Sequence, residues 1–129
     1  MRLVPVSRFV ALLLLTALAA CTGSSLNQPR SYLVYFDNDS ATLTPDAQRI
    51  IGTIVTGIKD TSPSKVAIAG RADGSTAHDA TLADQRAVAV MQALTQQGVS
   101  ASKLEKEADA PPSGVNGVAA HQVVVTLVP

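Results

Sequence analysis

Two stretches of the chain repeat one design. Tyr32-Leu33-Val34-Tyr35-Phe36 is β-branched and aromatic, closes on Asp37 and runs through a polar turn into a helical period. Lys65-Val66-Ala67-Ile68-Ala69-Gly70 alternates like a strand, passes Arg71-Ala72, closes on Asp73 and runs through a Gly/Ser/Thr turn into a second helical period. A strand, turn and helix met twice in succession restrict the chain to crossovers that lay helices on a sheet. In such sheets ligands gather outside the carboxyl ends of the strands, where helix N-termini also point, so Asp37 and Asp73 are expected beside one cleft.

The first helix is the clearest element. Thr44-Pro45-Asp46 supplies an N-cap hydroxyl, a proline where a missing N–H does no harm, and a carboxylate at the positive end of the dipole. Behind it Ala47, Ile50, Ile51, Ile54, Val55 and Ile58 keep the spacing of one buried face, while Gly52 and Gly57 each weaken the helix by about 1 kcal/mol relative to Ala. Thr61-Ser62-Pro63-Ser64 is a turn. In the second helix Ala83, Ala87, Val90, Met91 and Leu94 share a face, with Met91 as core filler and Gly98 as the C-terminal stop. Thr81 with Asp84 has the form of a capping pair, and Asp79 is the rival N-cap. Lys103 to Ala108 is a weak strand, Asp109 to Ala120 a loop with Pro-Pro and two glycines. Gln122 to Val128, apolar on both faces, is expected as an interior strand covered on one side by helices. The order is β-α-β-α-β-β.

The chain begins differently. Arg2 and Arg8 precede an uncharged run, Phe9 to Ala20, too short for the ~20 residues of a spanning helix and suited to a signal-peptide core. It ends in Leu18-Ala19-Ala20 before Cys21, the only cysteine, and this junction resembles the lipobox of bacterial lipoproteins. That resemblance implies cleavage before Cys21 and acylation of its sulfur and new amino group, several acyl chains making a stable anchor in the lipid bilayer. The alternative is an ordinary secretory peptide that leaves Cys21 as an odd thiol. Residues 1–20 are thus expected as a lipoprotein signal peptide, 21–30 as lipidated Cys21 and a short linker rich in small polar residues, and 31–129 as the domain.

Removing residues 1–20 takes away Arg2 and Arg8 and no acid, so of ten basic and ten acidic residues the remainder keeps an excess of two negative charges. The remaining aromatics, Tyr32, Tyr35 and Phe36, share one run instead of forming a stacking platform, and nucleic acid is not an expected partner. With no second thiol for a disulfide, an exported domain must rest on its hydrophobic core. Ser75, His78 and Asp79 lie close in sequence without a GxSxG elbow, which argues against an enzyme. Asp37 and Asp39 begin like a calcium loop, but Thr42 and Gln48 stand where that loop needs Gly and Glu. No metal or other cofactor is expected, and His78 and His121 are expected as exposed loop residues.

The segments YFDNDSATLTPDA (Tyr35 to Ala47), GRAD (Gly70 to Asp73) and DATLADQRAVAV (Asp79 to Val90) resemble three segments of the OmpA-like peptidoglycan-associated domain, with its FDxxSxxL, GHTD and NxxLSxxRAxxV patterns. The likeness covers about residues 31 to 128. It implies an α+β fold, a β-α-β-α-β-β two-layer sandwich whose mixed sheet takes the last strand antiparallel. It also implies non-covalent binding of peptidoglycan through the diaminopimelate side group of the stem peptide. That group carries an ammonium and a carboxylate on one carbon; Asp73 matches the family acid for the ammonium and Arg86 the family arginine for the carboxylate, which a guanidinium can grip with two parallel donors. Asp37 lies at the cleft as a third binding candidate.

Read without the resemblance, an Asp after a strand caps its own turn and an Arg on a helix's second turn is solvated. Four positions also depart from the family pattern: Arg71-Ala72 replaces His-Thr, the turn from Asp73 to Arg86 is shorter, Asp79 and Ala83 replace Asn and Ser, and Ala120-His121-Gln122 replaces the Asn-Arg-Arg that opens the last strand. These leave open a second reading, a degenerate OmpA-like module that grips an envelope protein partner instead of the wall. Thr22 after Cys21 lacks the acid that retains lipoproteins in the inner membrane, so the expected location is the outer membrane, with the domain facing the periplasm.

Overall fold

The computed structural model describes residues 28–72, 77–107 and 120–129. Strand β1 (Arg30–Tyr35) leads into helix α1 (Pro45–Thr61), strand β2 (Lys65–Gly70) into helix α2 (Ala77–Gln96), and a 3-10 turn (Ala101–Lys103) into the short strand β3 (Leu104–Lys106) before β4 (Gln122–Val128). The signal-peptide segment, Cys21, Asp73 and the Pro-Pro loop up to residue 119 lie outside the described residues.

The four strands form one sheet in the order β1-β4-β2-β3. β4 pairs antiparallel with both β1 and β2, and β2 pairs parallel with β3. The last strand therefore inserts between the first two, as its two-sided apolarity requires: Val123, Val125 and Leu127 are buried on one face, and Val124, Thr126 and Val128 are half-buried on the other. The expected architecture, two helices on a mixed four-stranded sheet, is the observed one.

Each helix explains its own ends in a different way. On α1 the Thr44 Oγ1 accepts the Ala47 N–H at 3.1 Å, Pro45 occupies the first turn, and Ser62 closes the helix in the left-handed region (φ 46°) with its N–H on the Ile58 carbonyl at 2.9 Å. At the end of α2 Gly98 takes φ 94°, the Gly98 N–H donates to Thr95 O at 3.0 Å and the Val99 N–H to Leu94 O at 3.1 Å, while Val99 turns into the core. This pair of bonds with its apolar contact is a Schellman motif. The start of α2 corrects the sequence reading: the helix begins at Ala77, so Asp79 and Thr81 lie inside its first turns rather than capping it. The good helix formers around them let the helix run back toward β2, where Asp79 still faces the positive end of the dipole.

The core lies between the helices and the sheet: Ile51, Ile54, Val55 and Ile58 from α1, Ala87, Val90 and Leu94 from α2, and Val34, Val66, Ile68, Val123, Val125 and Leu127 from the strands. Met91 is half-buried against its margin, as a gap filler should be. One close approach sets how α2 sits. A Cβ at Gly70 would come within 2.0 Å of the Ala83 carbonyl oxygen, so the helix lies flush on the end of β2 only because that position carries no side chain. Gly57 plays a smaller version of the same part in α1, where a Cβ would come within 2.5 Å of the Tyr32 hydroxyl, whereas Gly52 faces open space.

Small shifts of boundary separate the strands from their sequence expectations. β1 starts at Arg30, one residue inside the segment read as linker, and stops at Tyr35, although the Phe36 N–H still donates to His121 O at 2.8 Å and its ring stays buried. The weak strand at 103–108 condenses to three residues on the sheet edge, lengthened by a Glu107 N–H bond to Ile68 O at 2.9 Å.

Candidate ligand site

The carboxyl ends of β1 and β2 and the entry to β4 meet beside the inner face of α2, and the residue at that meeting point is Arg86. Its spacing from Ala83, Ala87 and Val90 puts it on the buried face of the helix, and its relative exposure is 0 %. The reading of Arg86 as a solvated helix residue is therefore overturned. Because α2 starts earlier than expected, Arg86 also falls on its third turn, deeper along the sheet.

A guanidinium buried to that degree must have its donors satisfied. Nε–H donates to the Ser40 carbonyl at 2.7 Å, Nη1 to the carbonyls of Arg71 at 3.0 Å and Ala120 at 3.4 Å, and Nη2 to the Asp37 carbonyl at 3.1 Å. The Phe36 ring lies 5.6 Å from the guanidinium carbon, close enough for a cation–π contact. One side chain thus ties the β1–α1 turn, the end of β2 and the approach to β4 to α2. The sequence carried half of this signal, the position of Arg86 on an apolar stripe. The acceptors are main-chain carbonyls, which leave no mark in a sequence.

The other expected site residues fall as follows. Asp37 contributes its main-chain carbonyl to the clasp, and its side chain is exposed at the end of β1. Asp73 lies outside the described residues; Arg71, two positions before it, gives its carbonyl to Arg86. Cys21 lies outside them as well. His78, expected in a loop, is in the first turn of α2, exposed, with Nε2 2.9 Å from Asp39 Oδ1 on the β1–α1 turn. That hydrogen bond and the Asp39 charge, with a smaller push from Asp79, raise the imidazole pKa above its ordinary 6.5. Asp39 itself stands at φ 56°, the left-handed conformation that Asp tolerates better than most residues. His121 is half-buried just before β4, not fully exposed. Among the described residues no group of three or more His, Cys, Asp or Glu side chains could hold a metal ion, and no helix is long and apolar enough to cross a membrane.

A family model described as the OmpA family matches residues 35–119 of this chain. The chain belongs to the OmpA family. Solved structures with the same architecture include the OmpA-like domain of FopA1 from Francisella tularensis, with a TM-score of 0.66 at 22% identity over 76% of this chain and 71% of that one. The peptidoglycan-associated lipoprotein from Burkholderia pseudomallei matches with a TM-score of 0.60 at 23% identity over 75% of this chain and 89% of that one. The periplasmic domain of Helicobacter pylori MotB matches with a TM-score of 0.62 at 20% identity over 79% and 77%. No curated protein sequence matches this chain. At such identities the shared feature is the OmpA-like fold, and what the site binds must be argued from its own residues.

Proposed function

We propose that this chain is a lipid-anchored envelope protein whose OmpA-like domain binds peptidoglycan non-covalently, through the diaminopimelate group of the stem peptide, and so tethers membrane to cell wall. Asp73 takes the ammonium of that group, Arg86 faces its carboxylate, and Asp37 borders the cleft. Acylated Cys21 holds the chain in the outer membrane with the domain in the periplasm. No catalytic step is involved.

The observation that carries this reading is the placement of Arg86. Its cation is held at the carboxyl ends of β1 and β2 by carbonyls from three chain segments, one of them that of Arg71, two residues before Asp73 in the sequence. A cation fixed before the ligand arrives loses little conformational entropy on binding. Family membership supports the same reading, as do two similar structures, one named a peptidoglycan-associated lipoprotein and one a periplasmic MotB domain.

Co-sedimentation with purified diaminopimelate-type sacculi tests it. The wild type is expected to pellet with sacculi, free diaminopimelate to compete, and Asp73→Asn to stay in the supernatant with unchanged folding. Arg86→Ala is unsuitable for this assay because it also removes the clasp. A wild type that does not pellet overturns the wall reading in favour of a protein partner. Membrane fractionation of the wild type and of Cys21→Ser tests the anchor: the substitution is expected to release the protein from the outer-membrane fraction.

A further inference from the structure

A second arginine stands at the same end of the sheet. Gly70 faces α2, since a Cβ there would meet Ala83, and strand alternation turns Arg71 to the opposite face. Tyr35, between the core residues Val34 and Phe36, and Gln122, before the core residue Val123, lie on that face too. Tyr35 pairs with Gln122 in the β1–β4 ladder, and the Arg71 N–H donates to the Gln122 carbonyl at 2.9 Å. Arg71, Gln122 and Tyr35 therefore form one row across three strands, about 10 Å wide at ordinary strand spacing.

This row holds an unmet donor. Arg71 is half-buried, and its Nε–H is buried without a hydrogen-bond partner among the described residues. Among the described residues no carboxylate forms an ion pair with Arg71. A buried donor on a cation left without an acceptor destabilises the folded chain, and a ligand that supplies the acceptor removes that cost. Beside it Gln122, only 8 % exposed, brings an amide able to donate and accept, and Tyr35, 46 % exposed, offers a ring and a hydroxyl. A guanidinium fork next to an amide and an aromatic ring suits a carboxylate carried on a peptide.

We propose that Arg71, Gln122 and Tyr35 form a second recognition position, on the sheet face turned away from the helices, for another carboxylate of the bound stem peptide. The inference rests on the peptidoglycan reading and sharpens it: the preferred ligand is a stem peptide whose carboxylates beyond the diaminopimelate side group are free, not amidated.

The test is a titration of the full-length protein with two soluble diaminopimelate stem peptides, one with every carboxylate free and one amidated everywhere except on the diaminopimelate side group. The wild type is expected to bind the free peptide about tenfold more tightly, the scale of one charge-assisted bidentate contact. Arg71→Gln is expected to bind both peptides as the wild type binds the amidated one, with Tm unchanged or raised because the orphaned donor is gone, and Arg71→Lys to recover part of the preference. Equal binding of both peptides by the wild type, a preference kept by Arg71→Gln, or a marked loss of Tm in that variant overturns the second position while leaving the first intact. A wild type that binds neither peptide nor sacculi overturns both.

Discussion

The two crossovers look alike in sequence and are held by different physics. In the first, from β1 into α1, the determinants are local: Thr44 caps, Pro45 starts the helix, and Ser62 ends it on the Ile58 carbonyl. In the second, from β2 into α2, they are tertiary: Gly70 lets the helix touch the strand, and Arg86 reaches carbonyls of Asp37, Ser40, Arg71 and Ala120, up to 49 residues away. A local determinant can be replaced at the cost of one bond. A tertiary one holds several segments at once, so its loss should spread.

The contrast is broken most directly at Arg86. Arg86→Ala is expected to lower the unfolding free energy by about 3–5 kcal/mol, because it strands carbonyls from three segments and leaves a void. Arg86→Lys should recover little, since one ammonium cannot reach acceptors spread around a planar fork. Urea unfolding measures both, and a loss below about 1 kcal/mol for the alanine variant would show that the clasp is not what holds the second crossover. Next comes Gly70→Ala. The added methyl must displace backbone at Ala83, so about 2–3 kcal/mol is expected, with a change in the near-ultraviolet signal as α2 lifts. Thr44→Ala, the corresponding change in the first crossover, should cost about 1 kcal/mol, and Thr44→Asp should restore it by capping equally well. If Thr44→Ala proved as costly as Gly70→Ala, the distinction between local and tertiary control would fail.

The same distinction explains what could be read in advance. Thr44, Pro45, Gly98 and the two-faced apolarity of Gln122 to Val128 act on near neighbours or through simple periodicity, and each takes its expected place. The start of α2 could not be read from Asp79 or Thr81, because several polar residues in a row could each cap a helix and packing against β2 decides among them. Arg86 was legible as a residue of interest through its match to a family position, but its burial and its main-chain acceptors were not. The three-residue β3 owes its pairing to the neighbouring strand Val66–Ile68 more than to its own weak pattern. Arg71 was visible only as a departure from a family pattern. Its buried Nε–H, without a partner among the described residues, emerges from the geometry of the strand end.

The smallest expected effect comes from a contact that joins the same two segments as Arg86 but on the outside. His78 of α2 meets Asp39 of the β1–α1 turn at 2.9 Å with both side chains largely exposed, whereas Arg86 meets Asp37 and Ser40 of that turn in the interior. The Asp39 hydrogen bond and charge raise the His78 pKa above 6.5, so the folded state binds this proton more tightly than the unfolded one. The contribution of the pair is then fully present below pH 6.5 and is lost as the pH rises through the raised value. In solvent such a pair is screened, so its effect on unfolding should be slight and should shrink with added salt. An NMR titration of the His78 ring resolves it: the wild-type midpoint should lie above that of Asp39→Asn, which should fall back toward about 6.5. Coincident midpoints would mean that the outer contact does not form in solution, and that the buried guanidinium joins α2 to the β1–α1 turn without its help.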